Sequence, residues 1–178
     1  MTRQVALLRG INLARSRRVA MADLRRILTD AGHTDVQTYV QSGNVVLSSD
    51  VSGAALERRL ERELADGLGL DIKVLVRTRG QLAAVVARDP LGDVADNPSR
   101  YMVTFLATKP SAKVVRELEA LLLPAERLAA SGREIYAWHP DGIAGSQVAK
   151  VLADRRLGIA ATARNWNTVK KLLELADA

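Results

Sequence analysis

The sequence predicts an α+β protein made of two βαββαβ halves, each with its own antiparallel sheet. The first part of the chain has short apolar runs typical of strands and segments whose apolar residues recur every three or four positions, as in helices. Their order is strand, helix, strand, strand, helix, strand. The same order recurs after residue 99, and each half has a Ser-Gly turn between its second and third strands. We therefore predict a structural duplication with halves at 1–78 and 100–178, separated by a linker at 79–99.

The first half contains four apolar segments of strand length. They are Gln4–Arg9, Val36–Gln41, Asn44–Ser48 and Ile72–Val76. The first helix is expected from Met21 to a stop at Gly32, and the second from a candidate N-cap at Ser52 to Gly67. Four strands and two helices in this sequence order are typical of the ferredoxin-like arrangement, in which the strands form one sheet with the spatial order 4-1-3-2.

The second half repeats this series after a linker that holds a short helix around Leu82–Arg88. Its predicted strands are Tyr101–Leu106, Arg127–Ala130, Glu134–His139 and Ala161–Arg164. Ser111 is the candidate cap of its first helix, and Val148 and Leu152 mark the second. A terminal helix follows, with Val169 and Ala176 on its apolar face.

Composition limits the possible functions. The 178 residues are 48% hydrophobic and include no cysteine, which excludes disulfides, thiol catalysis and cysteine-based metal sites. The N-terminus has neither a signal peptide nor a membrane span, so we expect a cytoplasmic protein without membrane contact. A net charge of +6 favours an anionic partner, either nucleic acid or a small ligand. No cofactor is expected, and the oligomeric state is left open.

Topology predicts a polar, basic edge in the first half. In a 4-1-3-2 sheet the end of the first strand and the second-to-third hairpin lie at one edge, where the first helix also begins. No acidic residue occurs between Met1 and Ala22. Amides, guanidinium groups and a helix N-terminus together can hold an anion. The candidate residues are Arg9, Gly10, Asn12, Arg15, Arg17, Arg18, Gln41, Ser42 and Asn44.

Three interpretations of this edge stay open. The first is a non-enzymatic protein that binds an anionic ligand or nucleic acid there. The second is an enzyme or sensor for a small phosphorylated or carboxylated metabolite. The third is a scaffold whose asparagines and glycines only shape turns while its arginines are solvated.

The second half offers further candidates. The last helix begins with Arg164, Asn165, Trp166 and Asn167. These residues form either a helix cap with a hydrophobic staple or a polar binding surface. Tyr101 and Phe105 share one strand face, and Tyr136 and Trp138 share another, on the strands that stack bases in RNA-recognition domains. We expect these rings to be core residues.

Catalysis has little support in the sequence. His33 is expected to be exposed in a loop, and the acidic and basic residues at 57–63 to form a solvated helix face. His139 lies near Asp141 and Ser146, but such short spacing seldom produces triad geometry. Two separated histidines without cysteine predict no metal site.

Three motifs together resemble a known family. They are Ala6–Asn12 with Met21–Leu24, Tyr39–Val46, and Thr162–Val169. They are similar to a bacterial domain-of-unknown-function family, number 1697. The resemblance implies two ferredoxin-like halves and no established activity. The chain departs from the family's usual form at Ala14-Arg15 (commonly two glycines), at Ala20 (usually proline) and at Gln147 (commonly lysine).

Overall fold

A computed structural model describes every residue except Ala14 and Ser16. The described part contains two four-stranded antiparallel sheets and six α-helices. The chain divides into two compact units, one of residues 1–84 with 171–178 and the other of residues 85–170. Within the described residues, no helix combines the length and the apolar character that crossing a bilayer requires.

The first sheet has the strand order β2-β3-β1-β4, as predicted. Its elements are β1 (Thr2–Leu8), α1 (Met21–Asp30), β2 (Thr34–Tyr39), β3 (Asn44–Ser49), α2 (Gly53–Leu68) and β4 (Val74–Thr78). The core lies between the sheet and the two helices, where Leu24 and Leu28 of α1 and Leu60 of α2 pack against Ala6 and Val45. This face of the sheet is apolar because alternate residues of each strand point towards it.

The second sheet has the corresponding order β6-β7-β5-β8. The elements after β4 are α3 (Arg79–Arg88), β5 (Tyr101–Leu106), α4 (Ala112–Glu119), β6 (Arg127–Ser131), β7 (Glu134–Trp138), α5 (Gln147–Ala153), β8 (Ala161–Asn165) and α6 (Trp166–Asp177). A second core joins Leu106 and Ile135 to Leu118, Val148 and Leu152 on the helices.

Side-chain caps begin several helices. Ser111 and Ser146 accept the N–H groups of residues three positions later, at the starts of α4 and α5. Thr78 and Gln81 form a reciprocal capping box at the start of α3. Ser52 occupies the N-cap position of α2, but its side chain accepts no hydrogen bond from the helix, unlike the predicted cap.

The polar face of α2 corrects two predictions. The face at 57–63 is not simply solvated, because Glu57 and Glu61 accept hydrogen bonds from the N–H groups of Val76 and Val74 in β4, at 2.9 and 3.1 Å. His33 is buried rather than exposed, and its Nε2 lies 2.8 Å from the Glu63 carboxylate. Sequence spacing cannot show such contacts, since the partners lie 13 to 30 residues apart.

Candidate functional site

The structure brings the end of β1 to the β2–β3 hairpin. The backbone N–H of Leu8 donates to the carbonyl of Gly43 at 2.8 Å, and the Asn12 amide donates to the carbonyl of Gln41 at 2.8 Å. Gly43 is required at this contact, because a Cβ atom there would lie 2.7 Å from the Cβ of Leu8. Residues separated by about thirty positions therefore form one edge, called here the first edge: residues 9–13, 15 and 17–20 with residues 40–44.

Asn12 holds the loop of the first edge closed. Its Oδ1 accepts the N–H of Val19 at 2.8 Å, and its Nδ2 donates to the carbonyls of Val19 and Gln41 at 3.0 and 2.8 Å. Its backbone is left-handed, with φ of 55°, a conformation that asparagine tolerates better than most residues. The amide therefore works as an anchor between backbone segments.

Asn44 also has a structural contact pattern. Its side chain is buried and donates to the carbonyl of Tyr39 at 3.1 Å and to the Ser42 hydroxyl at 2.9 Å, which fixes the hairpin. Gln41 and Ser42 are themselves exposed. Of the hairpin candidates, these two present side chains to solvent.

The arginines of the first edge differ in their surroundings. Arg17 donates to the carbonyls of Gly10 and Asp71, at 3.1 and 2.7 Å, and so ties the loop to the segment before β4. Arg9 is half-buried. Arg15 and Arg18 are exposed and have no ion-pair partner within the described part of the chain.

Backbone strain and exposed apolar groups mark the same edge. Asn12, Arg17 and Val40 all have positive φ, and Val40 is a β-branched residue for which this conformation is unusual. Leu13 is 81% exposed and Val40 52% exposed. Strained, apolar and cationic groups that lie at one exposed edge are typical of binding surfaces.

The N-terminus of α1 adds a weaker contribution. Its N-cap residue Ala20 makes no side-chain hydrogen bond to the helix. Asp23 lies in the first turn, with its carboxylate 3.7 Å from the Arg26 guanidinium. This acid offsets part of the positive potential at the helix end.

Comparisons with known proteins identify a family. A family model described as "Protein of unknown function (DUF1697)" matches residues 1–136. The chain belongs to this family. It is also similar to a solved structure, the conserved bacterial protein SP0830 from Streptococcus pneumoniae, with 25% sequence identity, coverage of 98% of both chains and a TM-score of 0.76. Among curated proteins, no significant match was found. The first edge of this DUF1697 member lies within the matched residues.

The Arg164–Asn167 segment lies outside the matched range and forms no open polar surface. Burial lowers the pKa of Arg164 to about 10, and its guanidinium donates to the Thr162 hydroxyl at 2.7 Å. Asn165 accepts the N–H of Thr168 and caps α6, while Trp166 is buried. Asn167 is exposed, with its amide 3.4 Å from the Ser99 hydroxyl.

The aromatic side chains of the second unit belong to its interior. Tyr136 is fully buried, Trp138 is 7% exposed, and Tyr101 stacks on Trp166 with ring centroids 4.7 Å apart. Burial raises the pKa of Tyr136 to about 12, and its hydroxyl donates to the carbonyl of Val85. Rings enclosed in this way are not displayed for base stacking.

Sequence reasoning missed a buried polar cluster. His139 Nδ1 lies 2.5 Å from the carboxylate of Glu126, whose other oxygen accepts the N–H of Leu123. Burial alone would raise the pKa of Glu126, but hydrogen bonds from Leu123, His139 and Ser146 outweigh it and hold that pKa below its usual value. Asp141, the acid expected near His139, is exposed.

The arrangement of this cluster is unsuited to nucleophilic catalysis. A serine nucleophile must contact the histidine, whereas Ser146 bonds to the acid here and its hydroxyl also caps α5. All three side chains are buried. The cluster therefore joins the segment before β6, the end of β7 and the start of α5. Among the described residues, no group of three or more acidic or histidine side chains is placed to hold a metal ion.

Proposed function

We propose that this DUF1697 member is a non-enzymatic protein that binds a phosphate-bearing polyanion, such as single-stranded nucleic acid, at its first edge. One observation carries the proposal. Asn12 and Arg17 anchor the loop through backbone carbonyls, and the anchored loop displays Arg15 and Arg18 to solvent without carboxylate partners in the described chain. Exposed arginines without carboxylate partners can exchange their counterions for the phosphates of a polyanion.

Exposure favours an extended partner over a small metabolite. A small-molecule site encloses most of its ligand, whereas Arg15, Arg18 and Gln41 are all exposed. The exposed Leu13 side chain adds an apolar contact beside these charges. Alternating cationic and apolar groups suit a chain that presents both phosphates and the faces of bases.

The test is fluorescence anisotropy with a labelled single-stranded oligonucleotide over a range of salt concentrations. Two exposed phosphate contacts are worth about 1 kcal/mol each, so the double variant Arg15→Gln/Arg18→Gln should bind roughly thirtyfold more weakly. It should also flatten the salt slope by about 1.4, the value for two phosphates of a single strand.

A matched control removes the same charge elsewhere in the first unit. Arg58 and Arg62 are exposed on α2, and Arg58→Gln/Arg62→Gln should leave the affinity nearly unchanged. Equal weakening by both pairs would mean diffuse attraction rather than a site. Binding of free nucleotide without a salt slope would favour the metabolite interpretation, and no binding of any phosphate compound would end the proposal.

We also infer that the two sheets are duplicated ferredoxin-like units. Equivalent hydrogen bonds support this inference. The N–H of Leu8 donates to the hairpin carbonyl of Gly43, as that of Leu106 does to the carbonyl of Arg133, both at 2.8 Å. In the last strand of each sheet an arginine, Arg77 or Arg164, is buried and donates to the carbonyl of the residue before it.

A further inference from the structure

A cleft of about 620 Å³ lies in the second unit, next to the end of β5. It lies among the segment that follows β5, the helix α4 and the β6–β7 hairpin. Its lining residues are Lys109, Pro110, Ala112, Val115, Arg116, Glu119, Ala130, Ser131 and Gly132. This volume is within the range of about 300–1,000 Å³ that ligand pockets span. Lys109 and Arg116 are exposed, but, unlike the first edge, the cleft is also lined by the buried Pro110 and the half-buried Val115 and Ser131, which can enclose part of a small ligand.

The cleft occupies the position in the second sheet that the first edge occupies in the first. Both sites combine the end of the first strand, the start of the first helix and the Ser-Gly hairpin. The connections differ in length, because twelve residues (9–20) join β1 to α1 and only five (107–111) join β5 to α4. In the first sheet Asn12 of the long connection donates to the hairpin carbonyl of Gln41, while in the second sheet the short connection borders an open cleft.

The lining combines charged and apolar side chains. Lys109 precedes the N-terminus of the helix and Arg116 lies one turn inside it, and neither forms an ion pair within the described residues. Pro110 and Val115 supply an apolar wall. Lys109 is the cation next to the positive helix end, whereas Arg116 lies in the last turn, about 6 Å along the axis from Ala112, with Glu119 three residues after it.

We propose that this cleft binds a small molecule that carries one phosphate or carboxylate group on a compact apolar body. The anionic group lies beside Lys109 and Arg116, and the apolar body lies against Pro110 and Val115. The site is separate from the polyanion surface, and the proposal does not depend on nucleic-acid binding there. Both anionic groups accept hydrogen bonds from lysine and arginine, so the experiment must distinguish them.

The test is a titration of the ¹⁵N-labelled full chain, followed by amide chemical shifts. The probes are phenyl phosphate and benzoate, with neutral benzamide as the control of the same shape. Saturable shifts are expected at Ala112–Val115 and at Gly132 for an anionic probe, and not for benzamide. The anion that binds more tightly identifies the ligand class.

Variants then separate a site from general attraction. Lys109→Gln and Arg116→Gln should each weaken binding about threefold to tenfold, and Ala130→Leu should block the cleft from an exposed strand position. Lys113→Gln is the matched control, because Lys113 lies on the same helix outside the lining. The Arg15→Gln/Arg18→Gln variant should bind the probe normally.

Three results would overturn the proposal. They are equal shifts with benzamide, equal weakening by Lys113→Gln and Lys109→Gln, and the absence of saturable shifts around the cleft. Shifts confined to residues 9–20 count as the third result, because they would place the probe at the first edge.

Discussion

Replacing Asn12 with glycine removes the anchor of the first edge without straining its backbone. The native residue has φ of 55°, which glycine adopts freely, so the folded variant loses only side-chain hydrogen bonds, beside the added entropy that glycine gives the unfolded chain. Three bonds link the amide to Val19 and Gln41, and each is worth about 0.5–1.5 kcal/mol. Because the side chain is only partly buried, we expect the free energy of unfolding to fall by about 1.5–3 kcal/mol.

The measurement is urea unfolding at pH 7, followed by circular dichroism. Asn12→Ala is the companion variant, since it loses the same bonds and also places a Cβ in the left-handed region, at a further cost of about 1–2 kcal/mol. A loss below about 0.5 kcal/mol for Asn12→Gly would refute the anchoring role. Unchanged stability together with lost oligonucleotide binding would make Asn12 a ligand contact instead.

Two further predictions concern the second unit. Glu126→Gln should lower the free energy of unfolding by about 3 kcal/mol near pH 7. Because the folded protein holds the pKa of Glu126 below its usual value, the ionised carboxylate stabilises the fold above the pKa of the unfolded chain, about 4. The difference from the native protein should therefore shrink as the pH falls below that value, and a difference that does not shrink on acidification would contradict this assignment. Trp138→Ala should lower stability by about 3–5 kcal/mol in the same urea assay, and a loss under 1 kcal/mol would show that the ring is not part of the core.

The order of elements could be predicted because both sheets follow simple apolar periods, whereas element ends could not. Ile72 begins an apolar run, so the sequence predicts the fourth strand at Ile72–Val76. The strand runs from Val74 to Thr78, and Ile72 contributes to the core from the preceding loop. An apolar run shows that residues are buried but not that they are hydrogen-bonded in a sheet.

The candidate site was predictable in position and less so in chemistry. Strand order placed Asn12 beside Gln41 correctly, because two strands of equal direction end at the same edge. The residue types could not show that Asn12 and Arg17 bind backbone carbonyls, since amides and guanidinium groups serve backbone and ligands equally well. The Glu126–His139 pair was missed because the two residues meet only after the chain reverses between β6 and β7.

Glu57 and Glu61 of α2 accept hydrogen bonds from β4. The sequence of α2 is therefore restricted by this strand as well as by the requirements of a helix. Strand β4 is at the edge of its sheet, where outward N–H groups invite pairing with another chain. Glu57 and Glu61 accept hydrogen bonds from two of those N–H groups. Two positions that resemble ordinary helix surface therefore protect the strand edge from pairing with another chain. Substitutions that any other solvated helix would tolerate, such as glutamate to lysine, would here expose a template for intermolecular strand addition.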